Sequence, residues 1–192
     1  MNWIVTNTVD PAVRVLADRH YSRQTPGSRR FVQSGKCLVL KVPGGRTEWA
    51  ALVLNGKVVS AEQVEAAQAG WVTHWPIAEY VRHAWAGAWM NQFFHNESDI
   101  LASTLIKEAL IKTVQEWGDP PDLGLVTMVD PTKVKRSRKI GFTYLKAGFE
   151  HVGETKSPPK KMVFQITPDK IDALMHEHVE SGVLNKERQE ES

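Results

Sequence analysis

The sequence predicts an α+β domain in which a central mixed, mostly antiparallel sheet is flanked by helices. Three observations predict it. Short apolar runs bounded by turn residues recur along the chain at 37–42, 48–54, 85–94, 123–129, 149–154 and 162–166, as strands do. One long segment, about 98–117, carries its apolar side chains at helical period. A short helical stretch then separates later strands, which is not the regular alternation of a parallel βα array. With 192 residues, 42% hydrophobic and 24% charged, the chain has the composition and size of a globular domain. The expected division is one domain over residues 1–168 and a C-terminal helix with a polar tail over 169–192.

Each element has a local reason. Asp10 followed by Pro11 opens a short helix over 11–19, with an N-cap carboxylate and proline at the first helical position. Residues 20–36 form a loop rich in Arg, Ser, Gly and Pro, and long loops of this kind are usually functional. Cys37–Val42 reads as a strand, Pro43-Gly44-Gly45-Arg46 as a turn, and Glu48–Leu54 as the returning strand. Residues 60–82 are ambiguous, with an Ala-rich helix expected at Ala61–Ala69 before Trp71-Val72-Thr73-His74-Trp75-Pro76. Trp85–Phe94 is an aromatic strand. Asn96 and Asp99 then resemble a capping box for the long helix. Leu101, Leu105, Ala109, Leu110, Val114 and Trp117 fall on its apolar face, and Gly118-Asp119-Pro120-Pro121 ends it. After the strand at 123–129 come a turn at Asp130-Pro131, a short helix over 142–147 closed by Gly148, two strands, a surface helix over 169–182 and a frayed tail after Asn185. This order of elements fits the acyltransferase architecture called GNAT.

Composition excludes several classes. A single cysteine, Cys37, makes no internal disulfide. The first residues lack the basic and apolar regions of a signal peptide, and no run approaches the ~20 apolar residues of a membrane span. A cytoplasmic protein without a membrane partner is the expectation. The seven histidines show no helical ligand pair, so no metal site is expected; His176 and His178, two apart, lie on different helix faces. The net charge of +2 hides clustering. Arg19, Arg23, Arg29, Arg30 and Lys36 lie in one stretch; Lys133, Lys135, Arg136, Arg138 and Lys139 in a second; Lys156, Lys160 and Lys161 in a third. Clustered bases mark phosphate contact better than net charge does.

Three segments carry chemistry. Arg19-His20-Tyr21-Ser22-Arg23 places a group that exchanges protons near neutral pH beside a phenol. His95-Asn96-Glu97-Ser98 stands at a strand-to-helix junction, where the GNAT architecture holds a coenzyme pyrophosphate on a glycine-rich turn. No glycine falls between Gly87 and Gly118, and Glu97 and Asp99 repel phosphate, so a standard acetyl-CoA site is disfavoured and the donor stays open. Val129-Asp130-Pro131-Thr132-Lys133-Val134 through Gly141-Phe142-Thr143-Tyr144-Leu145-Lys146-Ala147-Gly148-Phe149 joins an acid at a strand end to a basic loop and a helix bearing a tyrosine.

Taken together, His20-Tyr21-Ser22 with Pro26-Gly27, Asn96-Glu97-Ser98, Val129–Val134 and Gly141–Phe149 resemble the phage Mom-like DNA modification proteins over roughly residues 15–166. The resemblance implies a GNAT-like transferase that places a small acyl-derived or carbamoylmethyl group on the exocyclic amine of adenine in DNA. Such a mark shields phage DNA from host restriction, and the protein would act in the host cytoplasm. Carried over by motif, the catalytic residues are His20, Tyr21, Ser98, Asp130 and Tyr144. Asn96 and Ser98 would hold the small-molecule donor. The DNA-binding residues would be Arg19, Arg23, Arg29, Arg30, Lys133, Lys135, Arg136, Arg138 and Lys139. Ile140 stands where the family usually has proline before the glycine, and His95 where it usually has arginine before the asparagine. Two other readings stay open: an acetyl-CoA-dependent N-acyltransferase acting on a small molecule or protein, and a non-catalytic DNA-binding module.

Overall fold

The computed structural model describes residues 2–23, 25–32, 34–134 and 139–190. Along the chain these form β1 (Ile4–Thr6), α1 (Pro11–Arg19), β2 (Gly35–Val42), β3 (Thr47–Leu54), β4 (Lys57–Glu65), β5 (Ala69–Pro76), β6 (Trp89–Asn96), α2 (Ala102–Trp117), β7 (Leu125–Val129), α3 (Phe142–Lys146), β8 (Glu150–Glu154), β9 (Met162–Ile166) and α4 (Pro168–Glu190). Seven strands make one sheet in the order β1-β2-β5-β6-β7-β9-β8, and β3 and β4 make a separate ribbon. Every pairing is antiparallel except that of β6 with β7. This is the mixed, mostly antiparallel sheet that the sequence predicts.

Alternation along the strands builds a core on each face. Leu38, Leu40 and Val42 of β2 join Trp71, Trp89 and Phe164 in one apolar cluster with Leu105, Ile106, Ala109 and Leu110 of α2. Val39, Val72 and Phe93 point the other way, onto Val13, Leu16 and Ala17 of α1. Each such leucine or valine, fully buried, contributes about 1.5–3 kcal/mol. Ile171 of α4 is also fully buried in the first cluster, so the first turns of α4 belong to the packed body. The helix continues to Glu190, beyond the point where the sequence reading placed a frayed tail. No helix among the described residues is long and apolar enough to cross a membrane.

Asp10 opens α1 as expected. Its carboxylate accepts from the Ala12 amide (2.8 Å), from Lys41 Nζ (2.7 Å) and from the Thr6 hydroxyl. Burial alone would raise its pKa, but these partners outweigh it and hold Asp10 below its ordinary value of 3.8. Asp10→Ala is expected to lower stability by about 2 kcal/mol, the upper range for losing a helix cap. Because the folded pKa is depressed, that stabilisation is present above the unfolded value and disappears as pH falls through the folded one. Urea melts of both proteins should therefore differ fully at neutral pH and begin to draw together only as pH falls below about 4, toward the folded pKa.

Three expectations are corrected. β3 does not return along β2; it pairs with β4, Ala51 opposite Ala61, and β2 pairs with β5 instead. The cause is Asn55-Gly56, whose positive φ angles (50° and 74°) suit the two-residue turn that twists with its strands. The Ala-rich segment expected as a helix at 61–69 instead completes the strand β4 up to Glu65 and then crosses to the start of β5 at Ala69, since a hairpin overrides weak helix propensity. The capping box also fails: α2 starts at Ala102 with Leu101 in the N-cap position, exposed and without a side-chain cap. Asn96 and Ser98 instead close a turn before it.

Candidate active site

The parallel ladder between β6 and β7 is short. It pairs Trp89 with Leu125, Met90 with Val126 and Asn91 with Thr127, and then stops. β6 nevertheless runs on to Asn96 along β5, and β7 runs on to Val129 along β9. Gln92 is an extra residue on β6, since Val72 faces Phe93 while Thr73 faces Asn91. Such a bulge bends its strand and re-aims side chains. The two strands therefore part, and a cleft opens between them. His20, Tyr21 and Ser22, where the chain leaves α1, line it from one side of the sheet, and Tyr144 of α3 lines it as well.

Asn91 sits at the apex, where the strands separate. Its Nδ2 donates to the carbonyls of Phe93 (2.8 Å) and Val72 (3.3 Å). Its Oδ1 accepts from the hydroxyls of Tyr144 (2.8 Å) and Thr127 (3.3 Å). All four hydrogen-bonding places of the amide are filled. Neither Asn91 nor Thr127 was singled out from the sequence. The available signal was Asn91-Gln92 interrupting the otherwise apolar run Trp89–Phe94, a polar pair where a buried strand should have none.

The ionisable groups of the cleft are un-ionised. Burial, with the neighbouring His95 adding to it, pushes the His20 pKa down from 6.5 to about 4. The ring lies 4.4 Å from that of Tyr21 and 5.2 Å, edge-on, from Phe93. Its Nδ1 faces the Ser22 amide (3.3 Å) and hydroxyl (2.7 Å). An amide can only donate, so Nδ1 is the acceptor and Nε2 carries the proton. Burial raises the pKa of Tyr21, the backbone of Asp130 opposing it and the Asp130 charge adding to it. Burial likewise raises Tyr144, whose ring stacks on Phe164 and meets Phe149 edge-on. For His20 the sign is clear: the unfolded chain binds its proton below 6.5 and the folded chain only near 4. His20 should therefore make wild-type stability fall as pH drops from 6.5 to 4. His20→Gln should flatten that part of a stability-versus-pH curve; an unchanged slope would mean that the imidazole titrates normally.

Of the residues expected to converge, His20, Tyr21 and Tyr144 share this cleft. Asp130 reaches it through its backbone, at Tyr21. Its carboxylate accepts from the Thr132 amide (2.9 Å) and hydroxyl (2.7 Å), capping the turn Pro131–Lys133. Those bonds hold the acid below 3.8, with Lys133 and Lys161 adding to the effect. The carboxylate thus acts as a cap and is ill placed to take up a proton. Ser98 and Asn96 do not line the cleft. Asn96 Oδ1 accepts from the Ser98 amide (2.9 Å) and hydroxyl (2.7 Å), and the Ser98 hydroxyl accepts from the Ile100 amide (3.3 Å).

The basic residues also separate. Arg19 is held by Glu48 and Glu97, and Glu97 also contacts His95 at 3.0 Å. Arg23 binds Asp18 and the carbonyls of Ser28 and Arg30, stapling the loop after α1. Neither arginine offers an uncommitted guanidinium to a phosphate. Arg29, Arg30, Lys133 and Lys139 are exposed. Lys135, Arg136 and Arg138 lie outside the described residues.

The GNAT architecture that the sequence suggests would hold coenzyme A at the junction before α2, which can be tested for it. A pyrophosphate cradle needs free amides at a helix start. The Ser98 and Ile100 amides, in the turn before the helix, are bonded to side chains, and Glu97 and Asp99 place carboxylates there, whereas no side chain caps the first turn of α2 itself. The turn at 97–100 therefore does not fit a coenzyme pyrophosphate, and the uncapped first turn of α2 is where helix-start amides remain for one. Among the described residues, no group of three or more His, Cys, Asp or Glu is placed to hold a metal ion.

No family model and no curated protein matches the chain. A solved structure of the aminoglycoside acetyltransferase AAC(6')-Ib in complex with coenzyme A and kanamycin superposes with a TM-score of 0.54, at 14% identity, over 90% of this chain and 97% of that one. An uncharacterized protein from Bacillus halodurans is 13% identical over 76% of this chain and 66% of that one, with a TM-score of 0.41. At 14% identity, the first likeness shows a GNAT-like fold.

Proposed function

We propose that the chain is a GNAT-like transferase that places a small acyl-derived or carbamoylmethyl group on the exocyclic amine of adenine in DNA. The observation that carries this reading is the cleft between β6 and β7, where His20, Tyr21 and Tyr144 meet un-ionised. A neutral base edge suits such a lining. The resemblance of the His20-Tyr21, Asn96–Ser98, Val129–Val134 and Gly141–Phe149 segments to Mom-like proteins supplies the substrate. In the transfer, the amine nitrogen forms a bond to the donor carbon as the bond from that carbon to its leaving group breaks, and the proton lost by the amine passes to the departing group, which takes the bonding electron pair. His20 Nε2–H and the Tyr21 hydroxyl are donors that can hold the oxygen on which charge develops. The target base must leave the stack or be presented single-stranded, and the aromatic rings of the cleft can receive it.

The test is to express the chain in bacteria, digest the DNA to nucleosides and look by mass spectrometry for a modified deoxyadenosine. Its absence in wild-type cells overturns this reading. A Tyr144→Phe culture is the control. DNA affinity gives a separate result. Replacing Lys135, Arg136 and Arg138 by alanine should weaken binding to all sequences and flatten the salt slope by roughly 0.9 per lost contact. Equal slopes for the two proteins would remove that loop from the interface.

The fold likeness to an acetyltransferase solved with coenzyme A favours a second reading, acetyl-CoA-dependent N-acylation of a small amine. Calorimetry separates the two: micromolar acetyl-CoA binding supports it, against the poor fit of the junction before α2.

A further inference from the structure

We infer that Asn91 is a positioning residue that fixes the hydrogen-bond polarity of Tyr144, making the phenol oxygen an acceptor toward the cleft. The inference rests on the proposed transfer for its substrate, but its structural half stands alone. The orientation of the Asn91 amide follows from its partners. Its nitrogen faces two backbone carbonyls, those of Phe93 and Val72, and a carbonyl can bond only to a donor. The opposite atom, facing Tyr144 and Thr127, is therefore the oxygen, which can only accept. Tyr144 must in turn donate its hydroxyl proton to Asn91. Only lone pairs remain on the Tyr144 oxygen, one of them within reach of the Thr127 hydroxyl and the other open to the cleft.

A phenol in a transfer site ordinarily donates its proton or stacks on a base. The geometry gives Tyr144 the opposite polarity: it receives an N–H. His20 Nε2–H and the Tyr21 hydroxyl supply donors, so these three side chains offer one acceptor beside two donors. A group carrying an N–H next to an acceptor atom matches that order. The same amide holds the β6 bulge through Phe93 and Val72, which couples the shape of the cleft to the polarity of its tyrosine.

A double-mutant cycle tests this, with modified nucleoside as the readout. Asn91→Ser removes the amide whose oxygen reaches Tyr144 and leaves a shorter polar residue in the strand. It should cost about tenfold in kcat when Tyr144 is present and under about twofold in the Tyr144→Phe background. Equal costs in both backgrounds would show a purely structural role and overturn the inference. A second measurement needs neither activity nor a folded variant. The chain has three tyrosines, so a 13C-labelled sample resolves Tyr144 by NMR. Its hydroxyl proton should be visible and slow to exchange in the wild type. A proton exchanging at the solvent rate would overturn the inference even if DNA is modified. A slow proton in a protein that modifies no DNA would retain the polarity and remove only the proposed substrate.

Discussion

Gly141→Ala is expected to destabilise the protein by about 2–5 kcal/mol, a large cost for one methyl group. Gly141 precedes α3 with φ of +69°, a conformation that costs an alanine roughly 1–2 kcal/mol. The larger effect is steric. A Cβ at this position falls within the ring of Phe164, which is fully buried at the centre of the main core. That ring stacks on Tyr144 and is 5.4 Å from His151, so it has little room to yield, and overpacking costs about 1–3 kcal/mol more. Thermal unfolding should come about 10 °C earlier. Phe164→Leu made in the Gly141→Ala protein should recover part of the loss, because it removes the atoms in the way. A melting point within a degree or two of wild type would mean that α3 shifts freely. It would also mean that Tyr144, three residues on, is less firmly placed than its contacts imply.

Gly141 also shows what the sequence discloses. Gly141-Phe142-Thr143-Tyr144 was legible as a helix start bearing a tyrosine, because glycine, a short helical run and Gly148 punctuate the chain locally. α1 and its Asp10 cap, α2 by its period, and the strands at 37–42, 123–129 and 162–166 were legible for the same reason. The errors came where pairing decides. Nothing in Ala61–Ala69 itself says strand; that follows from Asn55-Gly56 folding the segment back on β3, a turn signal present in the sequence but outweighed by alanine content. The cleft was legible only in part. His20, Tyr21 and Tyr144 are chemically conspicuous, whereas Asn91 matters through its place at the end of a parallel ladder. Ser98 and Asp130 look alike as polar residues at element boundaries, and both caps are satisfied within two residues of sequence. Local capping and a catalytic role leave the same trace in a sequence.

Tyr144→Phe is expected to reduce base modification by about 100-fold, in the range for removing one fixed polar group that stabilises the transition state. The cost in stability should be near 1 kcal/mol. The ring keeps Phe94, Phe149 and Phe164 around it, and Asn91 Oδ1 keeps the Thr127 hydroxyl. This separation matters, since a large fall in activity with an intact fold cannot be assigned to lost packing. The pH dependence refines it. Burial holds Tyr144 and Tyr21 above the ordinary phenol value and His20 down near 4, so none of the three changes charge between pH 5 and 9. The wild-type rate should therefore be level across that window, and Tyr144→Phe should lower it evenly without tilting it. A limb with a midpoint near 6.5 would mean that His20 titrates during turnover and serves as a base. A Tyr144→Phe enzyme that keeps more than half of its activity would remove the phenol from the reaction altogether, leaving His20 Nε2–H and the Tyr21 hydroxyl as the polar groups to be tested in its place.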